Sequence, residues 1–233
     1  MARLARLVVP GLPHHVTQRG NGRARTFFSE ADYAFYRGLL AEHCAAAGVE
    51  VWAWVLMPNH VHLILVPGDE DGLRRALAPL HRRYAGYIHA REKRTGHFWQ
   101  GRYGAVAMDD DHLAAAVVYV AMNPVRARLV DKAADWRWSS VHAHLSPTER
   151  DGLTSTAAVL ECVPDLARRI GAGEDAVKSE RLRRAETIGR PLGTAEFIAK
   201  LERGSGRRLA PGKRGRKPKE QDREGGDLNA LSP

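Results

Sequence analysis

Cysteine, acidic residues and long apolar runs are all in short supply in this chain of 233 residues. The only two cysteines, Cys44 and Cys162, lie far apart and in no CxxC pairing, which argues against a disulfide framework and a cysteine zinc site and fits a reducing cytoplasm. No apolar stretch reaches membrane-spanning length, and the one in MARLARLVVPGLP stops at Pro10, too short for a secretory leader. A soluble, unexported, cytoplasmic protein without a membrane partner is therefore expected. Acids number 27 against 36 Lys and Arg, leaving a net charge of +9, so the expected partner is a polyanion, nucleic acid first. Hydrophobic residues make up 44%, enough for one good core, which suggests a single catalytic domain with appendages.

Along the chain, HHVTQR (14 to 19) reads as a short strand closed by the Gly20-Asn21-Gly22 turn and Arg23. Ser29 is a candidate N-cap for a helix whose Tyr33, Tyr36, Leu40 and Cys44 recur at helical spacing until Gly48 stops it. VEVWAWVLMPNHVHLILV (49 to 66) is two β-rich runs broken at Met57-Pro58-Asn59, a hairpin with proline at its bend. A second helix carries Leu73, Leu77, Leu80, Tyr84 and Tyr87 or Ile88 as its apolar stripe, with Pro79 expected to kink or restart it. GHFWQGRYGAVAM (96 to 108) supplies an aromatic turn and a short strand. Asp109, Asp110 and Asp111 then open a further helix expected to end at Asn123, before Pro124. Strand, helix, hairpin, helix, strand is the order of a ferredoxin-like α+β domain, with helices on one face of an antiparallel sheet and the other face open for a ligand. The expected division is a catalytic domain at 1–145, a helical extension at 146–202 and a basic disordered tail at 203–233.

His60 and His62 are two apart on a strand, so both imidazoles point to one face. Histidine is a common metal ligand, and a pair on a rigid strand can fix a divalent ion, although two polar residues on a solvent face would give the same pattern. In VVYVAMNPVRARLV, Leu113, Val117 and Val120 make a buried stripe, while His112, Ala116, Tyr119 and Asn123 fall on another face, which places Tyr119 outside the core. A phenol beside a metal that polarises a phosphate can attack phosphorus; otherwise Tyr119 is a half-buried helix tyrosine with a local partner. Asn123 could add a carbonyl oxygen as third ligand, or simply end the helix before proline.

MPNHVHLIL, GHFWQGRY, YVAMNPVRA and WRWSS, in this order, resemble the REP-associated tyrosine transposases, a branch of the HUH single-strand transposase superfamily with an IS200-like domain. The resemblance runs from about residue 8 to residue 145. It implies a ferredoxin-like HUH fold and Mg²⁺ or Mn²⁺ held by His60 and His62, with Asn123 as the polar residue one turn after the nucleophile. It further implies that Tyr119 attacks single-stranded DNA near palindromic hairpins, leaving a 5′-phosphotyrosine and a 3′-hydroxyl. ETIGRPLGTAEFIAKLE resembles a C-terminal segment of the longer members. The turn after the first strand reads Asn21-Gly22-Arg23 where the family often has two asparagines or an Asn-Arg pair.

DNA contacts are expected from Arg19, Arg23, Arg75, Arg82, Arg83, Arg102 and Arg126, with Trp99 either stacking an unpaired base or plugging the sheet edge. In the tail, PGKRGRKPK resembles an AT-hook centred on Arg214-Gly215-Arg216, although a generic basic tail fits equally. The partner is then single-stranded or hairpin DNA, bound by a monomer or homodimer. Two other functions stay open: a non-catalytic hairpin-DNA-binding protein derived from a transposase, and a metal-dependent hydrolase that uses water.

Overall fold

The structure is a computed structural model that describes residues 6–146, 150–173 and 175–210. Its centre is a four-stranded antiparallel sheet of β1 (His14–Arg19), β2 (Val49–Met57), β3 (His60–Pro67) and β4 (Gly104–Ala107), in the order β2-β3-β1-β4. With α1 (Glu30–Ala47) after β1 and α2 (Gly72–Glu92) after β3, this is the ferredoxin-like α+β arrangement.

Local chemistry explains the element ends. Ser29 and Asp32 form a capping box at the start of α1, and Gly48 closes the helix at φ 64, a left-handed conformation that glycine adopts without strain. The β2–β3 hairpin turns on Pro58 and Asn59 alone, and the turn is tied to the loop after β1. Thr26 N–H donates to the Pro58 carbonyl at 2.8 Å, and Gly20 N–H donates to that of Asn59 at 2.9 Å. α2 does not restart at Pro79 but runs unbroken through it.

One sheet face packs Val16, Val61, Leu63 and Leu65 against Tyr36 and Leu40 of α1 and Leu73, Leu77 and Tyr84 of α2, all buried. Each such aliphatic side chain contributes roughly 1.5–3 kcal/mol by leaving water. The WRWSS segment seals the outer edge of β2. Trp138 stacks on Tyr33 at 5.2 Å, and Ser140 Oγ accepts from Trp54 N–H at 2.9 Å.

The second face is not open, as the sequence had suggested. It is covered by α3 (Asp110–Arg126) and, from the extension, by residues of α5 (Thr156–Cys162), α6 (Leu166–Ala172) and α7 (Ala176–Ile188). Val117, Val120, Val159, Leu166, Leu182 and Ala185 share one buried cluster there with Val55, Ile64 and Val106 of the sheet. The extension covers this face because Val159, Val163, Leu166 and Ile170 supply apolar surface that is buried against α3, the sheet and Val141. Nor does α3 end at Asn123; it continues through Pro124 to Arg126. The short α4 (Val141–Leu145) precedes the extension, and α8 (Ala195–Ser205) runs across the expected 202–203 boundary, packing Leu201 against Leu7 and Leu209. Arg214 and Arg216 lie outside the described residues. Among the described residues, no helix is long and apolar enough to cross a membrane.

Candidate metal and nucleophile site

Strand register assembles the histidines. β1 and β3 pair with Thr17 opposite His62 and Arg19 opposite His60, which puts His15, Thr17 and Arg19 on the face that carries His60 and His62. His15 and His62 are diagonal neighbours across the ladder, with rings parallel to within 5° at 5.1 Å and His15 Nε2 at 3.0 Å from His62 Nδ1. His60 stands edge-on to His62 at 4.9 Å, and its Nδ1–H donates to Asn59 Oδ1 at 2.6 Å, which leaves Nε2 as the nitrogen able to ligate.

From α3, the Tyr119 ring meets His62 at 5.4 Å and His15 at 5.8 Å, both edge-on. Tyr119 is only 3% exposed, so its expected place outside the core is corrected: the helical stripe misses that the histidine face of the sheet and the extension enclose this side of α3 as well. The Arg126 guanidinium lies 4.1 Å over the ring and donates to Asn123 Oδ1 at 2.6 Å, while Asn123 Nδ2 donates to the Tyr119 carbonyl at 3.1 Å.

Two members escaped sequence reasoning. His15 was read only as part of a strand, because pairing register is not a local property. Glu186, near the end of α7, places Oε1 at 3.4 Å from His15 Nδ1 and 3.8 Å from His62 Nδ1. Its one signal was its place in the ETIGRPLG segment.

Burial sets the electrostatics. It holds His15 and His60 down at about 3, helped by Arg126 for both and by Arg19 for His60, and it holds His62 well below its usual value. All three are neutral, the form that binds metal. Burial also raises Glu186 to about 7 against the opposing pull of Arg19, Arg126 and Arg183. With His15 neutral, its approach to Glu186 is not an ion pair. Instead His15 Nδ1 and Glu186 Oε1 are both buried without a hydrogen-bond partner. Orphaned nitrogen and oxygen donors beside neutral imidazoles fit a divalent cation.

The expected DNA-contacting residues divide by environment. Arg19 and Arg102 line a polar cavity of about 180 Å³ with Gln18, Gln100 and Glu186. Arg23 and Arg82 are exposed, with no acidic partner among the described residues. Arg75 pairs with Asp69 and Arg83 with Glu42. Trp99 is half-buried, with its indole N–H donating to the His81 carbonyl at 3.0 Å and its ring against Tyr84 and Phe98; it plugs the space beside α2.

Comparison with known proteins places these features. The family model for IS200-like transposases matches residues 9–123. A REP-associated tyrosine transposase of Haemophilus influenzae is 25% identical over 118 residues, covering 46% of this chain and 67% of its own. A solved REP-associated tyrosine transposase, bound to a REP hairpin, is 21% identical with a TM-score of 0.55, over 66% of this chain and 97% of its own, which supports the fold. Through residues 9–123, folded as the sheet, α1, α2 and most of α3, the chain matches the IS200-like transposase family model and resembles the REP-associated tyrosine transposases.

Proposed function

We propose that this protein is a metal-dependent single-strand DNA endonuclease and transposase that cuts beside palindromic hairpins, with Tyr119 as nucleophile. The observation that carries this reading is the convergence of Tyr119 on the His60–His62 pair, from separate elements, at 5.4 Å between the Tyr119 and His62 rings. In the reaction the Tyr119 hydroxyl oxygen attacks a backbone phosphorus and loses its proton. The bond to the 3′ oxygen breaks, and that oxygen takes a proton, leaving a 5′-phosphotyrosine and a free 3′-hydroxyl. A divalent ion on His60 and His62, Mg²⁺ or Mn²⁺, would polarise the phosphate.

The chain's own residues do the positioning. Arg126 is exposed and lies over the tyrosine ring, so it is the group an incoming phosphate meets first. Arg19, half-buried across the ladder from His60, adds positive charge on the same side. Arg102, which lines a cavity with Arg19, extends this basic surface, exposed Arg23 and Arg82 offer further charge to the strand, and the hairpin bound by the solved relative is the motivating substrate.

The test is a denaturing gel of a single strand carrying a hairpin, incubated with protein and Mn²⁺. Wild type should give a cut strand and a covalent protein–DNA adduct. Tyr119→Phe should bind the strand within about threefold of wild type and give neither product. A cut without an adduct in wild type would mean a water-using hydrolase, and binding with neither product would mean a non-catalytic hairpin-binding protein.

A further inference from the structure

The residues singled out by sequence supply two imidazoles but no uncommitted oxygen. Asn123 Oδ1 accepts from the Arg126 guanidinium at 2.6 Å and Asn123 Nδ2 donates to the Tyr119 carbonyl, so both ends of the amide are engaged. A metal on that oxygen would share it with a fixed positive charge. Glu186 stands differently. Its Oε1 is buried without a hydrogen-bond partner, faces the equally unpartnered His15 Nδ1 at 3.4 Å, and lies 3.8 Å from His62 Nδ1.

Leaving such atoms buried and unsatisfied is costly, and native structures rarely keep two side by side without a purpose. One ligand atom from each of His15, His62 and Glu186 can be chosen so that all lie within 4.8 Å of one another. An ion bound at about 2.0–2.2 Å from each draws those side chains inward and competes with the His15 Nε2–His62 Nδ1 contact at 3.0 Å.

We propose that His15 and Glu186 complete a divalent-metal site on His62, with α7 of the extension supplying the carboxylate in place of an Asn123 oxygen. Two neutral nitrogens and one carboxylate suit a transition ion such as Mn²⁺, whereas Mg²⁺ prefers an all-oxygen shell and gives up its water reluctantly. The inference rests on the metal-dependent reading above but changes its ligand set: His15 and Glu186 join His62, and His60 stands outside the cluster. It also places part of the reactive centre beyond the residues matched by the family model, which stop at 123.

The experiment is Mn²⁺ titration of the full chain, read by calorimetry and by loss of the free-ion electron paramagnetic resonance signal. It compares wild type, Glu186→Gln, His15→Asn and Asn123→Ala, with Mg²⁺ as the second probe. Glu186→Gln and His15→Asn should each weaken Mn²⁺ binding at least tenfold, and Asn123→Ala should stay within about twofold. Wild type should bind Mg²⁺ at least tenfold more weakly than Mn²⁺. Thermal melts without metal guard against misfolding, and Glu186→Gln should melt no lower than wild type because it removes a buried acid. Unchanged binding in Glu186→Gln, or a tenfold loss in Asn123→Ala, overturns the assignment while leaving the metal-dependent function standing. Equal affinity for the two ions overturns the choice of ion class, and a wild type that binds neither ion removes the metal from both readings.

Discussion

His81 shows how one buried side chain, alongside the buried histidines of the site, contributes to the acid sensitivity of the molecule. It is enclosed between Tyr36, whose hydroxyl lies 3.0 Å from Nε2, and Trp99, and burial reinforced by Arg6 holds it down at about 3. In the unfolded chain it titrates near 6.5, so between these values the unfolded state binds more protons, and stability is lost as pH falls. From pH 6.5 to 5 the loss from this residue alone approaches about 2 kcal/mol. His81→Gln should melt lower than wild type at pH 7 but lose less on going to pH 5; equal losses measured by thermal melts at both pH values would show that His81 does not contribute to the acid sensitivity. Residues of this kind mark where sequence reading stops. The shared face of His60 and His62 follows from strand alternation alone, whereas His15 joins them only through a register that sets Thr17 opposite His62. Tyr119 was misplaced for a similar reason, since a helical stripe records neighbours along α3 but not the histidines and extension that close over it.

Elements with local signals were legible. The Ser29 cap, the Pro58-Asn59 bend and the limits of β1 each depend on a few adjacent residues, and the structure has all three where the sequence put them. Ser29→Ala should lower stability by about 1 kcal/mol by removing one arm of the capping box, measured by urea denaturation. The end of α3 was less legible, because proline disfavours but does not forbid helix at the preceding residue, and here the helix adds three more residues after Asn123. WRWSS was legible as a motif but not as a mechanism. Its last serine grips β2, with Oγ accepting from Trp54 N–H and donating to the Trp54 carbonyl at 3.2 Å. Ser140→Ala strands a buried backbone N–H and should cost about 1–3 kcal/mol. A change below 0.5 kcal/mol in the same denaturation assay would show that another group takes over that contact.

At the scale of the molecule, the surplus of positive charge predicts an affinity for DNA that falls steeply with salt. Arg75, Arg83 and Arg91 are held in ion pairs with Asp69, Glu42 and Asp32, so the surplus is carried by groups such as Arg23 and Arg82 and by the stretch after residue 210. Removing residues 211–233, which include Lys213, Arg214, Arg216, Lys217 and Lys219, should lower the slope of log affinity against log salt by about 0.7 per lost contact on single strands. Fluorescence anisotropy across a salt series measures it, and an unchanged slope would show that this stretch does not touch DNA. His15, His62, Tyr119 and Glu186, which meet at one point, are also strung along most of the chain. Contacts so far apart in sequence form late and slowly when a protein folds. During synthesis the two histidines and the tyrosine leave the ribosome well before α7, and the face they share stays uncovered until the last of them has been made. A chain that has emerged only as far as α3 therefore holds Tyr119 without Glu186 and the other α7 residues that complete its surroundings.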